Sequence, residues 1–93
     1  MTDPVLGRVV QALRDLPART ITGHFENRRY VATKTVFNSG KSIKFVAEQL
    51  GGADYISLNL YLLKAGPRLY PCEMSHAKVQ DFVLGFQPDP EDA

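Results

Sequence analysis

Residues 29–50 read RYVATKTVFNSGKSIKFVAEQL, and this stretch decides the fold. Folded about Ser39-Gly40, it pairs with itself, so that Val36 faces Ile43, Lys34 faces Phe45 and Ala32 faces Ala47. Asn38-Ser39-Gly40-Lys41 is turn chemistry, and the residues on both sides alternate with a period of two. The reading is two antiparallel strands whose apolar residues share one face, because a slip of one residue would mix the faces.

The same period continues on both sides. Thr20 to Phe25 reads as a strand, turned by Glu26-Asn27 into the strand that ends at Phe37. After Gly51-Gly52-Ala53-Asp54, Tyr55 to Leu63 is a fourth strand. Lys64-Ala65-Gly66-Pro67 turns again into a short fifth, Arg68 to Cys72, which Pro71 assigns to a sheet edge because proline has no ladder N–H. A hairpin centred on Gly52-Ala53 sets Phe45 against Leu60 and Lys44 against Tyr61. One centred on Ala65-Gly66 sets Leu62 against Leu69 and Tyr61 against Tyr70. The expected core face is Ile21, Tyr30, Ala32, Val36, Ile43, Phe45, Ala47, Ile56, Leu58, Leu60, Leu62 and Leu69.

At both ends the period becomes helical. Asp3 is a capping residue and Pro4 a first-turn residue. Val5, Leu6, Val9, Val10, Leu13 and Leu16 then form one stripe, closed by Pro17. Ser75 caps a second helix whose stripe is Val79, Phe82, Val83 and Phe86, ending near Gly85 and Pro88. The fold class that follows is α+β: a helix, a five-stranded antiparallel meander and a helix, with both helices on one sheet face as two layers. Residues 1–87 form the expected domain and 88–93 a flexible acidic tail.

Composition sets the outer limits. The chain has 93 residues, 44% of them hydrophobic and 23% charged, values of an ordinary globular domain that exclude pervasive disorder. A single cysteine permits no internal disulfide. Leu60 to Leu63, the longest apolar run, is far too short to span a bilayer, and Met1-Thr2-Asp3-Pro4 does not read as the start of a signal peptide, so a cytoplasmic location is expected. Net charge is only +1, but residues 27–47 hold Arg28, Arg29, Lys34, Lys41 and Lys44 and no acid, while residues 87–93 hold Asp89, Glu91 and Asp92 and no cation. The tail is therefore a candidate screen for the basic segment.

Candidate chemistry is sparse. Cys72, Glu73 and His76 form the one reactive-looking group, with a thiol ahead of a helix start and a base about one turn on. No oxyanion element or orienting third residue accompanies them, and a lone cysteine is ordinarily a small packed residue. A metal site from His24, Cys72, Glu73 and His76 would have to join opposite edges of a meander. Gly51-Gly52 and Gly40-Lys41-Ser42 lack the remainder of a phosphate-loop signature and are explained as hairpin turns. The expectation is a protein that is not an enzyme, with no cofactor and no metal.

The other sheet face is more informative. It should carry Tyr61, Tyr70, Asn59 and Lys44 with threonines and serines between them. Rings flanked by cations on an uncovered sheet suit single-stranded nucleic acid, since bases stack on rings while lysine and arginine neutralise phosphates. The candidate binding residues are Arg29, Lys41, Lys44, Asn59, Tyr61, Arg68 and Tyr70. Lys34 is set aside, because alternation points it inward. The blander explanation is that tyrosine and threonine simply make good strands. The alternative function is a protein partner or homodimer, using an edge strand or a patch of Phe37, Val46, Leu63 and Tyr70.

Overall fold

The computed structural model describes residues 3–90. Helix α1 (Pro4–Asp15) begins where expected, with Asp3 accepting a hydrogen bond from the Val5 N–H at 2.9 Å. Five strands follow: β1 (Thr20–Phe25), β2 (Arg28–Phe37), β3 (Ser42–Gln49), β4 (Tyr55–Leu63) and β5 (Gly66–Pro71). Helix α2 (His76–Gly85) is capped by Ser75, whose hydroxyl accepts from the Lys78 N–H. A two-residue strand, β6 (Gln87–Pro88), completes an antiparallel sheet in the order β5-β4-β3-β2-β1-β6. Both helices lie on one face, giving the two-layer α+β arrangement. Among the described residues, no helix is long and apolar enough to cross a membrane.

The β2–β3 hairpin has the expected register, with Ala32 against Ala47, Lys34 against Phe45 and Val36 against Ile43. The next two hairpins are shifted by two residues each. Lys44 pairs with Asn59 and Phe45 with Leu58, because the β3–β4 connection is a four-residue loop closed at Gln49 and Asp54, with Gly51 at φ 76°. Tyr61 pairs with Arg68 and Leu60 with Leu69, because the turn is Lys64-Ala65 and Gly66, at φ 125°, is already the first residue of β5. A shift of two leaves every side chain on its assigned face.

Phe82 of α2 lies at the centre of the core, with ring centroids 4.8 Å from Phe25, 4.9 Å from Tyr30 and 5.2 Å from Phe86. Of the expected core face, ten residues are buried, Leu62 is half-buried and Val36 is 40% exposed. Val36 lies past the point where Lys34 meets the C-terminus of α1, so no helix covers it. Lys34 does point inward. Its Nζ donates to the carbonyls of Arg14 (3.1 Å) and Leu16 (2.7 Å), satisfying the end of α1. Burial pushes the Lys34 ammonium below the ordinary lysine range, partly opposed by the charge of Asp15.

The expected flexible tail is corrected for residues 88–90, and residues 91–93 lie outside the described region. Asp89 is buried at the β1 edge. Its carboxylate accepts from Arg29 Nη2 (2.9 Å), Arg29 Nη1 (3.3 Å) and Thr22 Oγ1 (2.5 Å), and its N–H donates to Thr22 O. The hydrogen bonds from Arg29 and Thr22 hold this carboxyl below the usual carboxylate range. Charge-assisted bonds and two ladder positions therefore order a segment whose composition suggests solvation.

The two sheet edges are differently closed. Along β1, β6 pairs with Gly23 and His24. Along β5, Cys72 N–H donates to Ser57 O, and the antiparallel alternation then turns the backbone of Pro67, Leu69 and Pro71 outward. Two of those three residues have no N–H, and the carbonyl of Leu69 is bonded to His76 Nε2 at 3.1 Å.

Candidate nucleic-acid interface

The face opposite the helices is built in rows across the strands. One row runs Tyr70, Asn59, Lys44 and Thr35, and the next runs Arg68, Tyr61, Ser42 and Phe37. Tyr61 and Tyr70, offset diagonally by the shifted register, make an edge-to-face pair with centroids 5.7 Å apart and planes at 63°. Tyr70 is 53% exposed and Tyr61 37%. Asn59 lies between Tyr70 and Lys44, its Nδ2 donating to Cys72 Sγ at 3.6 Å.

Five of the seven sequence candidates, Lys44, Asn59, Tyr61, Arg68 and Tyr70, thus meet on β3, β4 and β5. Lys41 stands in the adjoining β2–β3 loop, whose carbonyl accepts from the Leu62 N–H at 2.8 Å. Arg29 is not part of this group. It sits at the opposite corner of the face, engaged by Asp89 and 3.2 Å from His24 Nε2. Its guanidinium is paired with that carboxylate and stands apart from the two rings.

Several contributors escape the sequence reading. The β2–β3 loop and the β4–β5 turn stand at the same end of the sheet, so Lys64 joins Lys41 there, a neighbourhood implicit in the meander order. Phe37, named only for a protein patch, lies at the end of the Tyr61 row with the small Ser42 between them, and the face dips there into a cleft of about 320 Å³. Beside it, Asn38, Lys41, Ser42, Tyr61 and Lys64 border a second, open cleft of about 670 Å³. Among the described residues, Lys41, Lys44, Lys64 and Arg68 form no ion pair with a carboxylate; Asp3 and Arg68 border the same groove at the sheet edge without pairing. The acids of the face, Glu48, Glu73 and Asp89, belong to its other end, where Tyr55 Oη donates to Glu73 Oε2 at 3.5 Å.

The reactive-looking trio is dispersed. His76 is bonded to a carbonyl of β5 and Cys72 to Asn59, while Glu73 turns toward Tyr55. His24 is on β1, four strands from β5, and no cluster of three metal-ligating side chains occurs among the described residues. At the far side of the core, Tyr30 Oη donates to Asp54 Oδ2 (2.7 Å) and Lys78 Nζ to Asp54 Oδ1 (2.8 Å), tying β2, the β3–β4 loop and α2 together. The Lys78 and Tyr30 bonds lower the Asp54 carboxyl, and burial together with the Asp54 bond raises the Tyr30 phenol. No family model, curated protein or solved structure matches this chain.

Proposed function

We propose that the chain is a non-enzymatic binding domain whose open sheet face takes single-stranded nucleic acid. The supporting observation is that Lys41, Lys44, Lys64 and Arg68, none held by a carboxylate among the described residues, surround the exposed Tyr61–Tyr70 pair. Stacking on such rings contributes roughly 1–3 kcal/mol per base and needs unpaired bases, while the cations follow the backbone. Fluorescence anisotropy with a labelled single-stranded oligonucleotide tests this. Affinity should fall steeply with salt, with a log–log slope near −3 for about four phosphates neutralised. Lys44→Glu with Tyr61→Ala should weaken binding by about 10- to 100-fold while leaving the fold intact, since both side chains are exposed. No binding at low salt, or normal binding by the double variant, overturns the proposal.

One observation favours a second reading. Phe37, Leu63 and Tyr70 are each about half exposed at the same end of the sheet, a composition that also suits a protein interface. Light scattering would detect self-association, and Leu63→Glu would abolish it. Strand addition is the less suitable mode, given the outward prolines of β5 and the cover that β6 gives β1.

A further inference from the structure

We infer that the cleft between the β2–β3 loop and the β4–β5 turn holds the terminal phosphate of a bound strand, so that this domain prefers a phosphorylated end to an internal stretch. The inference rests on the nucleic-acid reading and adds a site to it. The cleft opens at the rim of the ring platform, with Tyr61 common to both. At about 670 Å³ it is within the range that accommodates a small-molecule ligand.

Its polar lining is suited to an anion. Lys41 and Lys64 bring ammonium groups, with no carboxylate beside them in the cleft. Ser42 Oγ already accepts from Asn38 Nδ2 at 2.9 Å, which leaves its O–H as a donor. The loop that carries Lys41 is fixed to β4 by the Leu62 N–H to Lys41 carbonyl bond, so one wall is set before any ligand arrives. A terminal phosphomonoester carries close to two negative charges at neutral pH, whereas an internal phosphodiester carries one. Two lysines at the end of the platform therefore discriminate between them, and the nucleoside attached to that phosphate lies over Tyr61.

The experiment compares three labelled octathymidylates, one unphosphorylated, one with a 5′ and one with a 3′ terminal phosphate, against the wild-type chain and Lys41→Gln/Lys64→Gln. One of the phosphorylated strands should bind about three- to tenfold more tightly than the unphosphorylated strand, and the double variant should bind both equally, at an affinity lowered for every strand because the two lysines also face the backbone. Equal wild-type affinities for all three overturn the terminal site and leave the broader reading standing. An advantage that persists in the double variant also overturns it, because the lysines are then not its source. Failure of every strand to bind at low salt removes the nucleic-acid reading itself.

Discussion

Lys34 shows how much one position can carry. Alternation alone assigns it to the core face, and that assignment excludes it from phosphate binding. What alternation does not supply is the partner, which is the C-terminal end of α1 meeting the ammonium group at the Arg14 and Leu16 carbonyls. Removing the donor leaves part-buried carbonyls without this partner and empties the space of the buried side chain, so Lys34→Ala should cost roughly 1–3 kcal/mol in chemical denaturation. Asp54 is a second such position, and nothing in its local sequence marks it as more than a turn residue. Its carboxyl is held low by Lys78 and Tyr30. A folded-state value below the unfolded one contributes stability above the ordinary carboxylate value near 3.9, and that contribution is lost as pH falls through the folded value. The melting temperature should therefore hold from pH 7 to about 5 and drop below about pH 4. Asp54→Asn should lower it at pH 7 and shrink the acid drop; an unchanged acid profile would count against the assignment.

At the scale of elements, helices and long strands were legible because each has several residues to express its period. Tyr55 to Leu63 is read without error, and Asp3 and Ser75 cap the helices as capping residues should. The two register shifts were not legible, because a displacement of two preserves the face pattern and only the turn conformation distinguishes the choices. Strand β6 was invisible for a different reason: two residues have no period. It depends on a close approach, since a Cβ on Gly23 would lie 2.5 Å from the Gln87 carbonyl and 2.6 Å from the Phe86 ring. Gly23→Ala should therefore push β6 away at a cost of about 1–3 kcal/mol, read as faster hydrogen exchange at the Asp89 N–H and loss of the Arg29 contact. Retained exchange protection would show that β1 and β6 can separate without releasing Asp89.

For the whole molecule, net charge hides the feature on which the proposed binding rests. A value of +1 gives no sign of a polyanion partner, yet folding sends Lys41, Lys44, Lys64 and Arg68 to one end of the open face and leaves Glu48, Glu73 and Asp89 at the other. The face is thus polarised, which under the proposed function would orient an approaching strand as well as attract it. Alternation places the rings and Lys44 on this surface and groups Arg29 with them, because a carboxylate sixty residues away in the chain leaves no local mark as its partner.

The outward backbone of β5 has a separate consequence. A sheet of this kind polymerises when a second copy templates on an unguarded rim and the process repeats, yielding fibrils. With Pro67 and Pro71 offering nothing to donate and the carbonyl of Leu69 already claimed by His76, the β5 rim is a poor template for such growth. A broad apolar and aromatic face can stay open to solvent at lower risk when the neighbouring strand edge is guarded in this way.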